Sequence, residues 1–259
     1  MKKFSLIALL LLLACGCSKS DKPLKVAATI IPHAEMLAYI KPDLESQGID
    51  LEIIVVDDYN IPNRALADDE VDANFFQHKP YLQSQIKMFG YPITSLVKVH
   101  LEPMGVYSTK IKDLKDLPEK AIISLPNDPT NEARALALLH HNGIITMDDP
   151  DNIQATIINI TSNPKHITFV EMDASMLPRT LQDVDASIIN ANFALQADLK
   201  PATDALVLED STSQFVNIIA VHTGNEDRPE LQALKKAITS EKMRKHIQEK
   251  YKGAIVPVF

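Results

Sequence analysis

Apolar positions fall along this chain in two rhythms. Short runs rich in β-branched and other apolar residues at Leu24–Ile30, Leu51–Val56, Val71–Phe75, Ile93–Leu101, Ala121–Leu125, Ile167–Glu171, Val184–Asn190 and Phe215–His222 predict strands. Between them, apolar residues spaced three or four apart predict helices over Ala34–Gln47, Pro62–Ala67, Pro80–Phe89, Pro129–His141, Ala174–Gln182, Pro229–Ala237 and Glu241–Tyr251. That alternation implies an α/β fold with parallel sheets covered by helices. One stretch echoes another. Arg64-Ala65-Leu66 leads into Val71-Asp72-Ala73-Asn74-Phe75, and Arg179-Thr180-Leu181 leads into Val184-Asp185-Ala186-Ser187-Ile188, with Asn190-Ala191-Asn192-Phe193 behind it. The shared helix-then-strand context predicts two lobes of similar build. Crossings near Tyr107–Lys112 and Asp210–Gln214 put residues 24–112 and 211–259 in one lobe and 113–210 in the other. Ligands of open α/β sheets bind beyond the carboxyl ends of the strands, so two facing lobes define one cleft.

The first residues have a separate logic. Lys2 and Lys3 precede Phe4–Leu13, an apolar stretch broken only by Ser5 and too short for a resident membrane helix. Residues 1–14 therefore predict a signal peptide. The run ends in Leu12-Leu13-Ala14-Cys15-Gly16-Cys17, which resembles a bacterial lipobox and makes Cys15, ahead of Cys17, the expected lipidated residue. A Cys15–Cys17 disulfide would staple nothing, and the rest of the chain has no cysteine. Residues 15–23 predict a lipidated tether, and the protein a place in the cell envelope, anchored outside the cytoplasmic membrane.

Composition narrows the chemistry. The formal charge of −8 argues against a nucleic-acid partner. The basic residues Lys242, Arg244, Lys245, Lys250 and Lys252 alternate with Glu at helical spacing, as on a solvated helix face. Seven glycines form no phosphate loop, and no GxSxG or paired-carboxylate signature suggests an enzyme or a cofactor. Eight histidines permit a zinc or manganese uptake role through His33, His78 and His100. There is no HExxH, no histidine-rich loop and no cysteine site to support it. A surface adhesin is a third reading, and it would need no cleft.

Several residues suit a small zwitterion. Asp128 and Pro129 open the helix that Gly143 closes, and Arg134 sits near its start, where a guanidinium can fork a carboxylate. Asn74, Asn190, Asn192 and Asn217 lie in or at the ends of predicted strands, where asparagine is disfavoured unless its amide has work elsewhere. Tyr59 follows one strand, and Phe75-Phe76-Gln77-His78-Lys79-Pro80-Tyr81 follows the next, which supplies apolar walls.

The strings VDANFFQHKPYL, HLEPMGVYS, LPNDPTNEARALALL and KYKGAIVPVF resemble the methionine-binding lipoproteins of ABC importers, the NlpA/MetQ family, and the resemblance runs from Leu24 to Phe259. It implies a two-lobed periplasmic-binding-protein fold, type II-like, closing over one amino acid. It implies a monomer that delivers L-methionine, D-methionine or a methionine dipeptide to a permease and its ATPase, with no cofactor or metal. By motif, Arg134 would grip the carboxylate, Asn192 and Asn217 would hold amine and carboxylate, and Tyr59, Phe76 and His78 would wall the thioether, with His100 and Asn131 nearby. Ile30-Ile31 before Pro32, and Ala191 where glycine is common, depart from the family pattern and bear on ligand shape.

Overall fold

The computed structural model describes residues 22–210 and 213–259. The expected signal peptide, Cys15 and Cys17 lie outside the described residues. All the predicted strands form. The first lobe contains β1 (Leu24–Thr29), β2 (Leu51–Val56), β3 (Ala73–His78) and β4 (Ile93–Leu101). The second contains β5 (Gly105–Tyr107), β6 (Ile122–Pro126), the small pair β7 (Thr146–Met147) and β8 (Ile160–Ser162), then β9 (Thr168–Met172), β10 (Ala186–Ile189) and β11 (Val207–Leu208). The chain then returns to the first lobe for β12 (Val216–His222) and β13 (Val256–Pro257). The two sheets run β13-β4-β12-β3-β1-β2 and β11-β5-β10-β6-β9.

The sheets are mixed, where the alternation of elements predicted parallel ones. β1 pairs parallel with β2 and β3, but β12 is antiparallel to β3 and β4. Likewise β6 is parallel to β9 and β10, while β5 is antiparallel to β10 and β11. The reason is the direction of entry. β5 and β12 each follow a crossing from the other lobe, so they enter their sheets from the cleft end, where the parallel strands finish. The first crossing also comes earlier than the sequence suggested. Tyr107, expected in the linker, is paired with Ser187 inside the second sheet, and the crossing lies between Leu101 and Gly105. A Cβ on Gly105 would meet the Tyr107 ring at 2.8 Å, so the close approach requires glycine there.

The helices are α1 (Glu35–Glu45), α2 (Ile61–Ala67), α3 (Lys79–Phe89), α4 (Pro129–His141), α5 (Ala191–Gln196), α6 (Pro201–Asp204), α7 (Pro229–Ile238) and α8 (Glu241–Tyr251). Strand alternation sorts the core by face. Val26 and Ala28 of β1 pack with Met36, Leu37 and Ile40 of α1, Leu231 and Leu234 of α7, and Met243 and Ile247 of α8. Ala27, between them, joins Leu66 of α2 and Leu82 of α3 on the other face. In the second lobe Ile123 and Leu125 of β6 pack on Leu136 and Leu139 of α4. Each such buried leucine or isoleucine contributes about 1.5–3 kcal/mol. The helix predicted at Ala174–Gln182 is a short 3-10 stretch over Ala174–Thr180 containing Pro178, which cannot donate a helical hydrogen bond.

Candidate functional site

The carboxyl ends of β3 and β10 and the start of α4 meet between the lobes around a small cavity. Tyr59, Phe76, His78, Asn131, Arg134, Asn192 and Asn217, all anticipated from the sequence, line it, together with Gln77, Tyr81, Glu102, Asn190 and Ala191. His100 does not line it. Ile30 and Ile31 are also absent from its walls, whereas Ala191 forms part of them.

His78 ends β3 and caps α3, accepting the Tyr81 backbone N–H at Nδ1 over 3.1 Å. Its proton therefore sits on Nε2, which donates to Asn131 Oδ1 of the opposite lobe at 3.1 Å. Burial, helped by the positive charge of Arg134, lowers His78 to about 3, so the ring is neutral. Asn131 is oriented from below. Asp128 caps α4 and accepts both the backbone N–H of Asn131, at 3.0 Å, and its side-chain Nδ2, at 2.8 Å. Burial raises the Asp128 carboxyl, with these bonds from Asn131 working against it. Asn131 Oδ1 then receives Asn190 Nδ2 at 2.9 Å as well as His78. A second hydrogen bond spans the cleft where the Tyr59 hydroxyl donates to Asn192 Oδ1 at 2.6 Å. Burial raises Tyr59, which keeps that hydroxyl protonated.

Arg134 follows Asn131 by three residues and so shares its helix face. It is only 4% exposed, unlike an ordinary surface arginine. Its Nε donates to Glu209 at 2.9 Å, and its Nη2 donates to Glu209 and to the Glu102 carbonyl, the latter at 2.7 Å. The guanidinium also lies over the Phe215 ring, 4.6 Å from its centre. Nη1 has no hydrogen-bond partner among the described residues, so the cavity meets a cation whose other edge is engaged.

Glu102 is the site residue that pattern reading missed. It follows β4 in HLEPMG, and a carboxylate between a strand end and Pro103-Met104 was the available signal. One oxygen, Oε1, accepts His100 Nε2 at 2.6 Å and His33 Nε2 at 3.1 Å. Burial raises the carboxyl, but the charge of His33 and the hydrogen bonds from both imidazoles outweigh it and hold Glu102 well below the usual carboxylate range. His100, expected at the ligand, instead stands behind this carboxylate. The register of β4 and β12 places it beside Asn217, but its ring turns to Glu102, His33 and Phe75. His33 Nε2 also faces Asn217 Oδ1 at 3.3 Å, which leaves the Asn217 Nδ2 for the cavity.

His33, His100 and Glu102 are the metal-type donors that converge among the described residues. The 2.6 Å between His100 Nε2 and the Glu102 oxygen is a hydrogen-bond distance. Two ligands each about 2.0–2.1 Å from a tetrahedral ion would stand farther apart. Asn74, another candidate, is withdrawn from the cleft into a closed amide ring with Asn63 and Gln77. Two cavity amides are incomplete: Asn190 Oδ1 and Asn192 Nδ2 are buried without a hydrogen-bond partner.

A methionine-binding lipoprotein MetQ of Bacillus subtilis (strain 168) is 40% identical over 272 residues, spanning 100% of this chain and 99% of the relative. A D-methionine-binding lipoprotein MetQ of Salmonella typhi is 36% identical, spanning 97% and 94%. A nutrient binding protein from Burkholderia cenocepacia, solved bound to methionine, superposes with a TM-score of 0.88 at 42% identity, covering 91% of this chain and all of that one. With residues 24–259 matching the family throughout, the chain belongs to the NlpA lipoproteins and has the two-lobed fold of its solved neighbours.

Proposed function

We propose that this chain is an extracytoplasmic substrate-binding lipoprotein that captures methionine in the cleft and delivers it to an ABC permease driven by its ATPase. The observation that carries the reading is the pair of buried, unpartnered amide atoms, acceptor Asn190 Oδ1 and donor Asn192 Nδ2, in a cavity that also holds one carboxylate and one guanidinium. Buried polar atoms need partners, and a zwitterion supplies both kinds. In this reading Arg134 Nη1, Asn192 Nδ2 and Asn217 Nδ2 take the ligand carboxylate. Glu102 and Asn190 Oδ1 take the ammonium. Tyr59, Phe76, Tyr81 and neutral His78 enclose the thioether, a favourable contact for sulfur at ring edges. The names of the relatives above agree with that ligand, and no catalytic role is assigned to any residue.

The lobes, residues 24–101 with 216–259 and residues 105–208, close as two bodies about the crossings, and ligand contacts to both favour the closed form. Cys15 carries the lipid that holds the protein at the envelope. Isothermal titration of the soluble chain from Ser18 onward, stripped of ligand by unfolding and refolding, tests the reading. L-methionine should bind at one site per chain, and D-methionine and glycyl-methionine measured alongside set its stereochemical and length preference. No heat with any of the three would end the proposal.

A further inference from the structure

Glu209 does not line the cavity, yet its carboxylate meets Arg134 and a residue from each crossing. Its carboxylate accepts Arg134 Nε at 2.9 and 3.0 Å through its two oxygens, and Nη2 as well. The same carboxylate accepts the Met104 backbone N–H at 3.2 Å and the Ser213 hydroxyl at 2.8 Å. Met104 belongs to the first crossing between the lobes and Ser213 to the second. The Glu209 backbone N–H also donates to the Met104 carbonyl at 2.8 Å. Arg134 in turn donates to the Glu102 carbonyl in the first crossing and stacks on Phe215 in the second.

We infer that Glu209 is a positioning residue for ligand capture: it engages the Nε–Nη2 edge of Arg134, presents the Nη1 edge to the ligand carboxylate, and ties that grip to both crossings. A guanidinium has five N–H donors in a rigid plane, so fixing one edge fixes the other. Without Glu209 the long side chain is free to rotate its fork away from the cleft. Glu209 suits the task because it stays ionised. Burial raises its carboxyl, but the adjacent Arg134 and the hydrogen bonds from Arg134, Ser213 and Met104 hold it below the usual range.

The inference rests on methionine being the ligand, and the experiment separates the two claims. Methionine and methioninamide, which keeps the amine and thioether but has no carboxylate, are titrated into the purified protein, Glu209→Gln and Ser213→Ala. Acting through Arg134, Glu209→Gln should weaken methionine by about 10- to 100-fold, the range for a hydrogen bond to a charged group, and change methioninamide by less than about threefold. Ser213→Ala keeps the carboxylate and removes one support, so methionine should weaken by about 2- to 10-fold with methioninamide unchanged. Equal losses for both ligands would make Glu209 a general support of the fold and overturn the inference, as would unchanged or tighter methionine binding in Glu209→Gln. If Glu209→Gln does not fold, Ser213→Ala alone decides by the same contrast. A parent protein that binds neither ligand would refute the functional reading itself, and this inference with it.

Discussion

Two clusters of buried amides lie within the same molecule and differ in one respect. Asn63, Asn74 and Gln77 in the first lobe form a closed ring. Asn63 Nδ2 donates to Gln77 Oε1 at 2.9 Å, Gln77 Nε2 donates to Asn63 Oδ1 at 2.6 Å and Asn74 Oδ1 at 2.9 Å, and Asn74 Nδ2 donates to Asn63 Oδ1 and the Pro62 carbonyl. Asn131, Asn190 and Asn192 in the second lobe do not close a ring, since Asn190 reaches Asn131 while Asn192 pairs with Tyr59 instead. Asn131 is fully engaged, but Asn190 keeps an acceptor and Asn192 a donor with no partner. Both clusters are buried, and each includes amides that follow a repeated Val-Asp-Ala string, Asn74 and Gln77 after 71–73 and Asn190 and Asn192 after 184–186. Burial of asparagine therefore does not identify a binding site. What separates scaffold from site is whether the amide atoms satisfy one another, because an unsatisfied buried polar atom costs about 1–3 kcal/mol unless something else satisfies it.

The largest effect should come from breaking the closed ring. Asn74→Ala removes one acceptor of Gln77 Nε2 and the donor to the Pro62 carbonyl and leaves a cavity, so chemical denaturation should show a stability loss of about 3 kcal/mol. Methionine affinity in the variant that remains folded should stay within about twofold, since no Asn74 atom faces the ligand. A large affinity loss there would erase the distinction between the clusters.

Opening the second cluster further should do the reverse. Asn192→Ala removes a donor assigned to the ligand and the acceptor of the Tyr59 hydroxyl, and should weaken methionine by about 10- to 100-fold with a melting temperature close to the parent's. Calorimetric titration and a thermal melt of the free protein check both halves. A melting loss without an affinity loss would make Asn192 scaffold.

A smaller and graded effect sharpens the link between the lobes. His78, which donates to Asn131, is lowered by burial to about 3, while the unfolded chain titrates near the ordinary imidazole value. Between those two values the unfolded state binds more protons, so the contribution is fully present above about pH 6.5 and is lost as the pH falls toward 3, at about 1.4 kcal/mol per pH unit. Glu132, raised to about 7 chiefly by burial, has the opposite sign over the upper part of that window. The comparison is therefore parent against His78→Asn, whose side chain can still cap α3. Stability measured in denaturant at pH 6.5 and 4.5 should fall more steeply in the parent. Parallel curves would mean that His78 is not held neutral.

Much of this architecture could be read along the chain. The strand runs and amphipathic stretches located the principal strands and helices, because a half-buried element carries its periodicity in its own residues. The Asp128-Pro129 start of α4 and its Gly143 end were likewise legible, since capping depends on local hydrogen bonds and φ values. Short elements such as β5, β11, β13 and α5 were not, as two to six residues hold too little periodicity to register. The motifs also nominated most of the cavity lining, although Glu102 passed unmarked and His100 was placed one layer too far forward.

What the chain alone determined was therefore the local half of the protein: an acidic chain of alternating strands and helices, two similar halves, and a set of candidate polar residues at strand ends. Tertiary structure decided the rest. It set the antiparallel entry of β5 and β12, put Glu102 in the cleft with two imidazoles behind it, and paired Arg134 with a residue 75 positions away. It also distinguished the asparagines that satisfy each other from those that do not. The physical reason is that periodicity and capping are written in near neighbours, whereas hydrogen-bond satisfaction and charge pairing depend on partners that only the folded chain brings within 3 Å or so of each other.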